Sequence, residues 1–139
     1  MKHILTLIVL LSSSAALVSG ETAEHGHSHG HIAVPATLPE LRAAIAAKQS
    51  EVSTALLAKD AAAVHAATDA LGAFVKAVPA MMDGPDEIAK QRVTGMANNA
   101  ARAWSEAAHE AERGDYDKAG REIAKADAAY RLLEARLKP

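Results

Sequence analysis

The sequence predicts an all-α protein: an antiparallel, up-and-down four-helix bundle preceded by a flexible histidine-rich tail. Three observations predict it. Apolar residues recur at intervals of three and four over four successive stretches, the spacing that lines one face of a helix. Each stretch opens near a residue suited to capping, and short connections between long helices favour antiparallel neighbours. No run shows the sustained alternation with β-branched residues that a strand requires.

The bundle is expected over residues 37–139. Thr37-Leu38-Pro39-Glu40 carries the threonine and glutamate spacing of a capping box, with proline tolerated in the first turn. Leu38, Leu41, Ile45, Val52 and Leu56 then give a first helix to about Lys59. Asp60 is a good N-cap for a second, whose stripe is Val64, Ala67, Leu71, Phe74 and Val78. Pro79 disfavours continuation, and Asp83-Gly84-Pro85 marks a turn. A third helix should begin near Pro85, where Asp86 and Glu87 suit the positive end of the helix dipole. Its expected stripe is Ala89, Val93, Met96, Ala100, Ala103 and Ala107, with Trp104 on the flank. Gly114-Asp115 ends it and caps the fourth, whose stripe is Ala119, Ile123, Ala126, Tyr130, Leu133 and Leu137. Gly114 to Ala126 resembles half of a tetratricopeptide repeat, but such arrays need about three copies and no second copy is present.

The first 20 residues read as a secretory signal peptide. Lys2 supplies the basic start, Ile4 to Leu11 the apolar run, and Val18-Ser19-Gly20 the small residues for cleavage after Gly20. The apolar run is short of the ~20 residues of an ordinary spanning helix. The expectation is an exported, periplasmic protein with no membrane insertion after cleavage.

Residues 21–36 form the tail and linker. Glu24-His25-Gly26-His27-Ser28-His29-Gly30-His31 places four histidines at strict i, i+2 spacing among small residues. Imidazole is the commonest side-chain ligand for transition metals near neutral pH, and alternating Gly and Ser leave the backbone free to wrap an ion. His25, His27, His29 and His31, with Glu24 completing the shell, are therefore the candidate metal ligands. Such tracts support metal binding as a class without selecting among Cu, Zn, Ni and Co.

Composition bounds the rest. A mature chain of about 119 residues fits one domain. Half the full chain is apolar but only 3% is aromatic, and much of the apolar share is alanine, which favours helix and buries little surface. Net charge is −2 for the full chain, and the basic residues are scattered, so nothing suggests a nucleic-acid partner. Absence of cysteine removes disulfides, thiol catalysis and covalent haem attachment together.

Within the helices the chemistry is sparse. His65 shares a polar face with Asp69 at i+4 and with Lys76, the pattern of a surface histidine. His109 lies roughly 200° around the helix from the line through Ala107. Glu106-Ala107-Ala108-His109 has the Glu-x-x-His spacing of di-iron bundles, but those need a second copy, and Ala62 stands three before His65. Met81 and Met82 can plug the end of a bundle core or, as paired thioethers, take Cu(I). Ser53, Ser105 and the carboxylates sit at ordinary solvated-face positions, so no catalytic residues and no enzyme are expected.

The last two helices, from Glu112-Arg113-Gly114 through Ala128-Ala129-Tyr130, resemble the C-terminal hairpin of the soluble periplasmic b-type cytochromes. That family is an exported four-helix bundle holding haem between a methionine and a histidine. The resemblance implies the fold. It does not carry haem binding, because Arg131 stands where the family's histidine would fall and Leu38 to Lys59 contains no methionine.

Two functions are consistent with these readings. The first is an exported protein that captures or buffers transition-metal ions through its tail, accessory to a metal efflux or resistance system. The second is a non-enzymatic helical interaction module with a solubilising tail.

Overall fold

Four capped segments become four helices. The computed structural model describes residues 32–84 and 86–137, so the candidate ligands Glu24, His25, His27, His29 and His31, with the signal segment, lie outside the described residues. Residues 32–36 carry neither helix nor strand and are largely exposed. Helix α1 spans Leu38–Ala58, α2 Ala61–Ala77, α3 Glu87–Glu112 and α4 Tyr116–Arg136, with a 3-10 turn over Val78–Met81. Among the described residues there is no strand.

Each boundary has a local cause. The Thr37 hydroxyl accepts from the Glu40 amide at 3.4 Å and donates to the Glu40 carboxylate at 2.8 Å. Asp60, Asp86 and Asp115 accept from the amides of Ala63, Ala89 and Lys118 at 3.0, 2.6 and 2.9 Å, each satisfying a donor that the first helical turn leaves unpaired. Asp86 thus acts as the N-cap itself, one residue before the helix proper. Lys59 ends α1 in the left-handed region at φ 53°, a small strain for a non-glycine residue. Gly114 makes the equivalent turn after α3 at φ 81° without that cost.

The stripes expected in α2 and α4 are the buried ones. Val64, Ala67, Leu71, Phe74 and Val78 all face inward, as do Ala119, Ile123, Ala126, Tyr130 and Leu133, whereas Leu137, the last of the expected α4 stripe, follows the helix end and is only half-buried. In α1 the buried residues are Leu41, Ile45, Val52 and Ala55, with Leu38 and Leu56 half-buried.

Helix α3 corrects the expectation. Its buried face is broader and rotated, running through Val93, Ala97, Ala100, Ala101, Trp104, Ala107, Ala108 and Ala111, while Ala89, Met96 and Ala103 are only half-buried. Trp104 is not on a flank. It is fully buried, with its ring centroid 6.2 Å from that of Tyr130 in a tilted arrangement. Its position follows from size: among so many alanines, the indole fills volume that nothing else can.

α3 packs most extensively against α4 and α2, and α1 packs against α2. α1 and α4 have few close backbone approaches and are tied by longer polar side chains instead. Arg42 meets Glu134 at 3.9 Å, Gln49 donates to Asp127 at 2.8 Å, and the Tyr116 hydroxyl donates to the Lys59 carbonyl at 2.7 Å. Among the described residues, the stretch Ala61–Met81 is long and apolar enough to cross a bilayer by composition; here it supplies much of the core.

Candidate functional site

Chemistry-bearing side chains gather at the two ends of the helices. One end is where residues 32–36 enter α1. There Ala36 to Pro39, Ala80 to Asp83, Arg136 and Leu137 line an open cleft of about 830 Å³. Met81 closes the 3-10 turn and Met82 follows it in an extended conformation, as Pro79 begins the departure from α2 geometry. Both methionines are half-buried and packed against the core. A second cavity of about 540 Å³ shares Met82 and Arg136 with the first and adds Arg92 and Met96.

The other end lies about 30 Å away, at 1.5 Å rise per residue along the 21 residues of α1. His65, near the start of α2, places Nδ1 2.6 Å from Glu112 Oε1 at the end of α3, and Nε2 3.3 Å from Asp69 Oδ2. His109 Nδ1 reaches the second Glu112 oxygen at 3.4 Å. The contact of His65 with Asp69 is the i, i+4 pair visible in the sequence. Its contact with Glu112 crosses between helices 47 residues apart and had no local signal.

The electrostatics follow from that geometry. Hydrogen bonds from His65 and then His109 hold the Glu112 carboxyl below its ordinary value of 4.5, against a smaller opposing effect of burial. His65 thus faces a carboxylate at each ring nitrogen, Glu112 at Nδ1 and Asp69 at Nε2. The group sits beside a shallow cavity of about 380 Å³ walled by Ala61, Ala62 and Ala66. The carboxylate stands between the two imidazoles instead of joining them around a common point. Among the described residues no group of three or more His, Cys, Asp or Glu side chains is arranged to hold a metal ion.

Glu110 is the second feature that periodicity missed, since it counts among the carboxylates expected on solvated faces. Its side chain is 7% exposed and its Oε1 is held by Lys118 at 2.9 Å and Arg113 at 3.1 Å. Lys118 belongs to the next helix, so only the turn at Gly114-Asp115 brings it into reach. Glu106 of the Glu-x-x-His pattern is exposed and takes no part in either group.

Among the described residues two buried nitrogens lack a hydrogen-bond partner: Arg42 Nε, 3.9 Å from Glu134, and, within the core, the indole Nε1 of Trp104. Tyr130, by contrast, donates to Glu134 at 3.1 Å, and burial first, then the Glu134 charge, pushes its phenol well above the ordinary range. Neither group lines a cavity described above.

No protein-family model, curated protein or solved structure matches this chain.

Proposed function

We propose that this is an exported, non-enzymatic metal-binding protein, whose segment from Glu24 to His31 captures or buffers transition-metal ions. The observation that carries the reading is the tract itself: four imidazoles and a carboxylate within eight residues, joined to a capped helical body through the exposed residues 32–36. The helical body then serves as carrier and as the surface that docks to an efflux or resistance component. Cleavage of the signal near Gly20 and release to the periplasm complete this reading, with no membrane insertion and no nucleic acid involved.

The antiparallel up-and-down arrangement belongs to the same proposal. The ties between α1 and α4 support it, because residues 42, 49 and 59 meet residues 134, 127 and 116: one index rises as the other falls. The likeness to periplasmic b-type cytochromes is carried forward as a likeness of layout, without haem.

The experiment is a metal titration of the exported chain beside a version lacking Glu24 to His31. Loss of the principal site on deletion supports the reading. The alternative, an interaction module, is favoured by three large apolar side chains that the helices leave in solvent: Leu57 at 87%, Ile88 at 61% and Leu132 at 63% exposed. They lie on three different helices, and singly exposed apolar residues are common on protein surfaces. An unchanged titration after deletion favours this second reading.

A further inference from the structure

The cavity of about 540 Å³ beside Met82 has two unlike sides. One is apolar: Met82, Ala89 and Met96 are half-buried there, over a buried Val93. The other carries Arg92 of α3 and Arg136 of α4, and no acidic residue among the described ones lines the cavity. Arg92 and Arg136 stand 22 residues before and after Gly114, so the fold-back at that turn brings two distant guanidiniums to one space. Among the described residues neither makes an ion pair or a hydrogen bond, whereas Arg42 and Arg113 each meet a glutamate.

The shape is drawn out along α3. Its lining there runs from Ala89 to Asn99, roughly 15 Å at 1.5 Å per residue. Gly95 lies in the middle of that wall. Glycine inside a helix is less stable than alanine, and nothing in the chain demands it here. Its φ is not positive, and a Cβ would meet no atom beyond its own turn of helix within 4 Å. The space over Gly95 is therefore open to a ligand. A cavity of this volume falls within the range of small-molecule sites, about 300–1,000 Å³.

Two guanidiniums without an acid disfavour a cation and favour an anion, and the planar fork of arginine matches a carboxylate. Unbranched methionines adapt to a flexible apolar chain. We propose that this cavity binds a single-chain organic carboxylate of the fatty-acid type. Its chain lies along Met82, Val93 and Met96, and Arg92 and Arg136 hold its carboxylate. The site goes beyond the metal-capturing reading and is independent of the histidine tract.

The test is calorimetry of the exported protein with decanoate, below its micelle-forming concentration. Acetate, which lacks the chain, and decylammonium, which keeps the chain and reverses the charge, serve as companions. Decanoate should bind, acetate should not, and decylammonium should bind roughly tenfold more weakly or worse. Arg92→Gln/Arg136→Gln should weaken decanoate by roughly tenfold or more. Gly95→Leu fills the cavity and should abolish binding, with helical circular dichroism kept and the melting temperature equal or raised, since leucine is the better helix former. Lost binding in a variant at least as stable as the parent separates the cavity from the fold. No uptake of decanoate by the parent, equal affinity for decylammonium, or unchanged affinity in either variant overturns the site. Binding to phosphatidylglycerol vesicles without uptake of decanoate also overturns it, and makes the two arginines a membrane-surface contact instead.

Discussion

Replacing Trp104 by Ala is the sharpest perturbation of the fold. Trp104 is the sole tryptophan, is fully buried, and lies against Tyr130 in a core otherwise rich in alanine. Burying an aromatic side chain removes about 150–250 Å² from water, worth roughly 4–6 kcal/mol at 25 cal/mol per Å². Truncation of a buried Trp to Ala is correspondingly expected to cost about 3–5 kcal/mol. A domain of this size has a total stability on the order of 5–15 kcal/mol, and an alanine-rich core places it toward the lower end. With a urea m-value of about 1.5 kcal/mol per M, the midpoint should fall by roughly 2–3 M, read by circular dichroism at equilibrium. Trp104→Phe is the informative companion. It keeps an aromatic ring and removes the unpaired Nε1, whose burial costs about 1–3 kcal/mol, so it should be markedly more stable than the alanine variant. A Trp104→Ala protein with its midpoint within about 0.5 M of the parent would refute the placement of the indole at the centre of the core.

Three further outcomes follow from the same packing and charges. Leu133→Asp puts an unpaired carboxylate at a fully buried position of α4, and should unfold or loosen the bundle in circular dichroism and thermal melts. Glu112→Gln removes a half-exposed carboxylate, so its cost at neutral pH should stay under about 1 kcal/mol. Because that carboxyl titrates lower in the folded protein than its ordinary 4.5, its contribution is complete above 4.5 and is lost as pH falls through the depressed value. Melting curves of parent and variant should therefore converge toward acid, and a gap that widens below 4.5 contradicts the assignment. The double variant His65→Gln/His109→Gln should keep most metal affinity in calorimetry, since these rings flank Glu112 without converging; loss of the tightest site would move the metal centre to the helices.

How much could be read in advance depended on side-chain size. In α2 and α4 the inward positions carry Val, Leu, Phe, Ile and Tyr, so the period and the buried face were both legible. In α3 eight of the twelve apolar residues are alanine, and lines through Ala89, Met96 and Ala103 or through Ala97, Ala101 and Ala108 look alike. Only the bulk of Trp104 distinguishes them, and it belongs at the centre. Capping at Thr37, Asp60 and Asp115 was legible because it is local, spanning three residues. The partners of Glu110 and Glu112 were not, because they depend on which helix lies alongside. The cavity wall shared by Met82 and Met96 was hidden for the same reason: Met96 is 14 residues beyond Met82, and only the turn and the first turns of α3 bring both to one cavity.

The proposed function rests on the histidine tract, and calorimetry of the parent against the His25→Ser/His27→Ser/His29→Ser/His31→Ser variant tests it. At neutral pH the parent should bind Cu(II) more tightly than Zn(II) or Ni(II), as expected of nitrogen ligands, and the variant should lose that site. Protonated imidazole cannot ligate, so parent affinity should collapse as pH falls below about 6.5. Equal uptake of divalent metals by the two proteins would contradict the proposed function and leave the helical body as an interaction module.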